Sequence, residues 1–196
     1  MKNKARCNWS TKDQMYIDYH DEEWGCSTYD DNKLFEYLIL EGMQAGLSWL
    51  TILKKRENYR ILYDDFDPLK VANYNEAKKL RLLEDTGIIR NKLKIEASVT
   101  NAQAFLNIQK EFCSFKKYIW QFVNNKPIQN AFRSIKEIPA KTKLSYKISK
   151  DLKKRGFKFI GSTIIYAHIQ ATGMVNDHVV DCFRYKEVAN LATIRE

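Results

Sequence analysis

Two pairs of metal-ligating residues stand at opposite ends of the chain. Cys7 and His20 lie near the start with twelve residues between them, and His178-Val-Val-Asp-Cys182 lies near the end. If the second pair sits on a helix, its spacing puts imidazole and thiolate on one face, about one turn apart. Cys2His2 is a closed tetrahedral zinc set, the pattern of a structural site rather than a catalytic one with an open position. Such an ion would tie the two chain ends together. The alternative is that each residue is simply buried in the core, where cysteine is common. His168 has no partner cysteine and reads as a packed helix residue.

A second group could bind a flat ligand. Trp9, Tyr16, Tyr19 and Trp24 flank the first metal candidates, and Trp49 follows Glu41 by eight residues. Tyr16, Tyr19 and His20 fall three to four apart, so one helical turn can present them together. Rings around a carboxylate suit a flat, electron-poor or cationic ligand: the rings stack on its faces while the carboxylate accepts from its amino groups. Against this, aromatics at helical spacing usually form core, and Glu41 could be solvated. Gly42 and Gly46 interrupt the same helical region at about 1 kcal/mol each relative to Ala, so a bend or a close approach is expected there.

The third group is basic. In Lys150-Asp-Leu-Lys-Lys-Arg155-Gly156-Phe-Lys-Phe-Ile-Gly161-Ser-Thr a basic helix ends in a short apolar turn, and a new helix opens at Ser162 or Thr163. The free N–H groups and positive dipole end of that helix suit a phosphate. Lys54-Lys55-Arg56, Arg90, Lys92 and Lys94 could extend the track, though a lysine-rich helix is often only a solvated face. Lys and Arg total 33 against 24 acids, a net charge of +9 that favours a polyanionic partner through a salt-sensitive attraction. From Asp13 to Glu41 the balance is reversed, with nine acids and the single base Lys33. No partner for that acidic stretch is evident in the sequence.

These groups must be positioned by helices. Asp30 or Asp31 caps a helix whose face carries Leu34, Leu38 and Glu41; Ser48 caps the next; Asn75 starts another that closes near Gly87. Helices are expected over Arg90–Ile108 and Phe112–Val123, a loop with Pro127 and Pro139 over Lys126–Lys143, and a basic helix ending at Gly156. A last helical pair covers about Ser162–Thr172 and Val175–Arg184. Alternating strand patterns are scarce, so the fold class is all-α with eight to ten helices. With 196 residues, 44% hydrophobic and 13% aromatic, the chain excludes disorder, and 7 Gly with 3 Pro exclude low-complexity architectures. Four scattered cysteines (7, 26, 113 and 182) do not make a disulfide scaffold. No apolar run approaches the roughly 20 residues of a membrane span, and the first residues do not read as a secretory signal. A soluble, cytoplasmic protein is expected.

Taken together, the segments Tyr19-His-Asp-Glu-Glu-Trp-Gly25, Leu40-Glu-Gly-Met-Gln-Ala-Gly-Leu-Ser-Trp-Leu-Thr-Ile-Leu-Lys-Lys-Arg-Glu-Asn-Tyr59, Gly87-Ile-Ile-Arg90, Leu152-Lys-Lys-Arg-Gly-Phe-Lys-Phe-Ile-Gly161 and Val175-Asn-Asp-His178 resemble the bacterial 3-methyladenine DNA glycosylase I family. The resemblance runs from about Cys7 to Arg184. It implies a helix-hairpin-helix glycosylase domain over residues 7–184, two helical lobes with a pocket between them, flanked by short tails at 1–6 and 185–196. It implies one structural zinc per chain on Cys7, His20, His178 and Cys182. It also implies hydrolysis of the N-glycosidic bond of 3-methyladenine in alkylated double-stranded DNA by a monomer. The family's pocket glutamate matches Glu41, with Tyr19 beside it. Its aromatic walls match Tyr16, Tyr19 and Trp49, with Trp9 and Trp24 adjoining, and Leu47 matches a position that fills the gap left by a flipped base. DNA contacts are expected at Lys158, Gly161, Ser162 and Thr163. Asp177 is not assigned the sugar-cation role that related hairpin glycosylases give to an aspartate. Met43 departs from the polar residue expected there and would alter the pocket rim. The rival readings are a non-catalytic DNA-damage-binding module of the same fold and a zinc-dependent hydrolase or deaminase, which would need an open metal position.

Overall fold

The computed structural model of the chain describes residues 4–10 and 13–193. Its described residues form eleven α-helices and one pair of two-residue strands. The order is α1 (Gln14–Glu22), α2 (Asp31–Gln44), α3 (Trp49–Leu53), α4 (Arg56–Leu62), α5 (Pro68–Ala72), α6 (Glu76–Glu84), α7 (Lys92–Phe112), α8 (Phe115–Trp120), β1 (Ile128–Gln129), α9 (Lys143–Lys154), α10 (Ser162–Ala171), β2 (Val175–Asn176) and α11 (Phe183–Thr193). Local chemistry sets the starts. Side chains of Asp30, Ser48, Asn75 and Asn91 each accept a first-turn N–H of α2, α3, α6 and α7, and Thr142 with Ser145 closes a capping box on α9.

Helix α2 is the axis of the molecule. Every residue from Leu34 to Met43 is buried, and the helix packs against α3, α7, α8 and α10. A helix wrapped on all sides needs an apolar surface all round, which Leu34, Phe35, Leu38, Ile39, Leu40 and Met43 supply. Its C-terminus is closed by Gly46 at φ +83° and by Lys94, whose buried ammonium donates to the carbonyls of Met43 (2.8 Å) and Ala45 (2.7 Å). Burial lowers the Lys94 pKa. Lys94 therefore belongs to the core and not to a phosphate track. The neighbouring bases are engaged too: Arg56 makes two bonds to Glu23 (2.7 and 2.9 Å), Lys54 pairs with Asp13 (3.2 Å), and Lys55 donates to the Thr86 carbonyl (2.7 Å).

The same contacts show where the acidic stretch goes. Glu36 takes Arg60 and Lys33, Asp21 takes Arg6, and Asp31 accepts from the N–H groups of Phe115 and Lys116 at the start of α8. These carboxylates are internal fasteners of the fold.

Three expectations for the helices need correction. The segment Phe112–Val123 is broken: α7 ends at Phe112, Cys113 turns left-handed, and Ser114 caps α8. Of the helix expected over Val175–Arg184, the stretch Val175–Cys182 is not helical. Val175 and Asn176 pair in parallel with Ile128 and Gln129, and an irregular turn follows before α11 begins at Phe183. The Asn176 amide holds this break by donating to Gln129 Oε1 and the Tyr185 carbonyl. Residues 185–193, expected in a tail, continue α11, whose Val188 is buried.

Gly173 explains why α10 stops where it does. At φ +69° it brings the end of α10 so close to the loop after α1 that a Cβ would lie 2.4–2.6 Å from backbone atoms of Gly25, Cys26 and Ser27. Thr28 N–H then reaches the Thr172 carbonyl at 3.0 Å, locking the two segments together.

Replacing Lys94 by Met keeps the stem but leaves two carbonyls of α2 without a donor. We expect a stability loss of about 1–3 kcal/mol, read as a lower urea midpoint with unchanged m-value.

Candidate active site

A cavity of about 320 Å³ opens beside α2, at the small end of the roughly 300–1,000 Å³ typical of ligand sites. Helical i, i+3 pairs supply most of its lining: Tyr16 and Tyr19 from α1, Glu41 and Gln44 from α2, Ala167 and Gln170 from α10. Trp49 enters from the first turn of α3, Trp9 and Trp24 from the segments flanking α1, and Ile135 and Ile138 from the loop before α9. The structure thus brings together Trp9, Tyr16, Tyr19, Trp24, Glu41 and Trp49. Leu47 is not in the lining; it is exposed in the turn between α2 and α3.

Gln44, Ala167, Gln170, Ile135 and Ile138 were missed from sequence. Gln44 was legible as the i+3 neighbour of Glu41; the two isoleucines lie on an irregular loop that carries no periodic signal. Met43 does not alter the pocket rim. Its side chain is buried away from the lining, and Gln44 faces the cavity instead.

The rings form a continuous box. Trp9 meets Tyr16 and Trp24 edge-on, with centroids 5.4 and 5.1 Å apart, and Tyr19 lies 5.6 Å from Trp49. The Tyr16 hydroxyl accepts the Leu50 N–H at 3.2 Å, tying α1 to the start of α3. Burial raises the pKa of Tyr16 and lifts that of Tyr19 further, so both present neutral phenols. Glu41 is only 3% exposed, and burial alone pushes its carboxyl up to about 8. Glu41 Oε2 and the Trp49 indole N–H are both buried without a hydrogen-bond partner. Unpaired polar atoms inside a fold cost stability. An acceptor and a donor left open on one base-sized cavity are suited to a flat polar ligand.

Behind this box lies the candidate metal centre. The ligand atoms of Cys7, His20, His178 and Cys182 all fall within 4.8 Å of one another, and all four residues are buried. Sulfur–nitrogen separations are 3.4 Å (Cys182 to His20 Nε2), 3.6 Å (Cys182 to His178 Nδ1) and 3.7 Å (Cys7 to His178 Nδ1). Bond lengths of about 2.3 Å to sulfur and 2.05 Å to nitrogen at tetrahedral angles give an edge of about 3.6 Å. The spare ring nitrogens are also engaged: His20 Nδ1 with Asp21 at 2.8 Å, and His178 Nε2 with the Trp24 carbonyl at 3.0 Å. Such outer partners fix the tautomer that leaves the inner nitrogen as a ligand. The donor set fits a tetrahedral zinc. The expectation that His178 and Cys182 share a helix face is wrong, because an irregular turn presents them.

The basic hairpin joins α9 to α10. Gly156 (φ +95°) and Phe159 (φ +51°) both turn left-handed. The backbone of Lys158 is held on both sides by Asn101, at 2.7 and 3.0 Å, while its side chain is exposed. Gly161 caps α10 without any side-chain bond, and open space surrounds it; Ser162 and Thr163 form the first turn. Gly42 adjoins Phe159, but a Cβ there would sit at an ordinary 3.6 Å, so the close approach expected at Gly42 is not tight.

The family model of the methyladenine glycosylases matches residues 9–185, which makes the chain a glycosylase enzyme by class. It belongs to the methyladenine glycosylase family. DNA-3-methyladenine glycosylase 1 of Escherichia coli K12 is 51% identical over 180 residues, covering 92% of this chain and 96% of the relative. DNA-3-methyladenine glycosylase of Haemophilus influenzae is 49% identical over 178 residues, covering 91% and 96%. A crystal structure of 3-methyladenine DNA glycosylase I superposes with a TM-score of 0.89 at 49% identity, covering 91% of this chain and 98% of that one. A Staphylococcus aureus structure that addresses 3-methyladenine recognition by the same enzyme gives 0.88 at 39% identity, covering 91% and 95%. No helix of the described residues is long and apolar enough to cross a membrane.

The raised Glu41 pKa has a consequence for stability. The folded state holds the Glu41 proton more tightly than the unfolded chain, so stability is greatest below the unfolded pKa and is lost as pH rises to about 8. Glu41→Gln should therefore match the wild type near pH 4 and become progressively more stable up to pH 8, by as much as about 1.4 kcal/mol per pH unit. Urea titrations across that range provide the measurement; a constant difference would contradict the buried, neutral carboxyl.

Proposed function

We propose that this chain excises 3-methyladenine from alkylated duplex DNA, leaving an abasic site. The observation that carries the reading is a Glu41 carboxyl oxygen and a Trp49 N–H, both buried without a partner, on two residues that line one aromatic cavity. A base inside a duplex must first be extruded, at a few kcal/mol. Leu47, exposed in the α2–α3 turn, would fill the gap. The hairpin between α9 and α10 would act as a helix-hairpin-helix motif: Lys158 offers charge to a phosphate, and Gly161, Ser162 and Thr163 offer the free N–H groups of the α10 start.

Methylation at N3 makes the base cationic, so it leaves as a neutral molecule without being protonated. In this scheme Glu41 gives up its proton as the cation enters, accepts from the amino edge of the adenine and offsets its charge. Trp49 and Tyr19 stack on and orient the ring, with Tyr16, Trp9 and Trp24 completing the box. Water bonds to the sugar's anomeric carbon and loses a proton to solvent, while the electron pair of the breaking C–N bond departs with the base. Cys7, His20, His178 and Cys182 would hold one zinc, whose four protein ligands leave no open position for substrate and give it a structural role. As an enzyme of DNA repair it would work in the cytoplasm, as a monomer on double-stranded DNA.

Base release from methylated duplex, resolved by chromatography, tests the reading. The intact protein should release 3-methyladenine, and Glu41→Gln should release it about 10- to 100-fold more slowly, the weight of a hydrogen bond to a charged group. Release unaffected by Glu41→Gln would remove the glutamate from the mechanism. No release from folded, metal-loaded protein would turn the reading toward a binding module. Since the ionised carboxylate is the working form, kcat/KM should rise with pH and level off near pH 8, and the rise should vanish in Glu41→Gln.

Elemental analysis should find one zinc per chain. Chelation or Cys182→Ser should remove it and lower Tm by about 10 °C, the effect of losing a few kcal/mol in a chain of this size.

A further inference from the structure

Asp177 is 1% exposed and lies outside the cavity lining, yet three donors converge on it. Asn130 Nδ2 donates to Oδ1 at 2.7 Å, Gln170 Nε2 donates to Oδ2 at 2.7 Å, and the Tyr166 hydroxyl donates to Oδ2. Gln170 does line the cavity, one helical turn beyond Ala167 on α10. A carboxamide has a donor end and an acceptor end, and which end points where is normally decided by the surrounding bonds. Here the carboxylate takes the NH2 end, which leaves the oxygen as the uncommitted end of an amide that lines the cavity. The backbone is equally fixed: the Gln170 carbonyl accepts the N–H groups of Gly25 and Gly173, each at 3.2 Å.

We infer that Gln170 is a specificity-determining residue that presents its carboxamide oxygen to an amino group of the bound base, with Asp177 as the positioning residue that prevents the amide from flipping. This rests on the proposed base-excision function and extends it to substrate choice. With Glu41, the cavity then offers two acceptors. A 6-amino purine has two N–H donors on its exocyclic nitrogen, whereas a 6-oxo purine has an acceptor oxygen there. The second would set oxygen against oxygen and leave a buried acceptor unpaired, the arrangement by which hydrogen-bonding pockets reject near-isosteres. The site so built favours 3-methyladenine over 3-methylguanine.

The test compares release of both bases from one methylated duplex by wild type, Gln170→Leu, Asp177→Asn and Tyr166→Phe, with Tm followed for each. Gln170→Leu should slow 3-methyladenine release about 3- to 10-fold, the weight of one neutral hydrogen bond, and lower the 3-methyladenine to 3-methylguanine ratio. Asp177→Asn places an NH2 group opposite Gln170, so the amide can reverse and offer its own NH2 to the cavity. The ratio should then fall further, with 3-methylguanine release gaining in absolute terms. Tyr166→Phe removes another bond to Asp177 without touching Gln170, and should lower Tm while leaving the ratio as in wild type. Should Asp177→Asn fail to fold, Gln170→Leu still decides, together with binding of free 3-methyladenine followed by tryptophan fluorescence, where the dissociation constant should rise by the same 3- to 10-fold. A wild-type ratio and wild-type base binding in folded Gln170→Leu would overturn the inference and leave the excision function standing. A wild type that releases neither base would overturn both.

Discussion

A carboxyl group buried without a partner is the constraint around which this protein is arranged. Glu41 sits on α2 with its neighbours from Leu34 to Met43 also buried, so the helix cannot rotate or slide to give it water. Isolated, such a group would push a chain to refold around it. The surrounding helices prevent that: α3, α7, α8 and α10 close on α2, and Lys94 and Gly46 fix the end of the helix just beyond Glu41. The energy invested in holding Glu41 dry is what a cationic base would recover on entering, because opposite charges interact far more strongly in a cavity than in water.

The distribution of charge follows the same logic. The nine acids between Asp13 and Glu41 have no evident partner in the sequence. In the fold, Asp13, Asp21, Glu23, Asp31 and Glu36 are spent on Lys54, Arg6, Arg56, the start of α8 and Arg60. These ion pairs brace α1, α2, α3 and α4 around the cavity. What remains outward is predominantly basic, including the exposed lysines of α9 and Lys158 on the hairpin. A net charge of +9 is therefore better read as an excess outside an internally neutralised frame than as a uniform coat.

Helix starts were legible because each depends on one residue and its neighbours: Asp30, Ser48 and Asn75 cap where their side chains say they should. The aromatic side of the cavity was legible for a related reason, since Tyr16, Tyr19, Glu41 and Trp49 occupy helical positions a fixed distance apart. The end of the chain was not. Val175 to Cys182 carries residues compatible with a helix, and what decides against it is distant: the contact of Gly173 with the loop after α1, and the pairing of β2 with β1 some 47 residues earlier. Ile135 and Ile138 were invisible for the same reason, being brought to the cavity by that pairing rather than by any local pattern. Gln170 was hidden differently, because its role depends on a carboxylate seven residues away in an irregular turn.

The irregular end of the chain has its own use. Trp24 forms one wall of the cavity, and its other face is occupied by His178, with ring centroids 4.6 Å apart at 78°. The Trp24 carbonyl also holds His178 Nε2, and Trp9 leans on the Trp24 ring from the cavity side. The wall of the cavity is thus the opposite surface of the Cys7–His20–His178–Cys182 cluster. Trp9 and Trp24 come from short segments with few helical hydrogen bonds of their own, the kind that open first in a folded protein. Contacts with residues from the far end of the sequence hold these segments in place. An irregular turn at His178–Cys182 serves that purpose in place of the expected helix. It brings the His178 imidazole and the Cys182 thiol against the N-terminal pair, while Asp177, one residue earlier, accepts from the Gln170 amide.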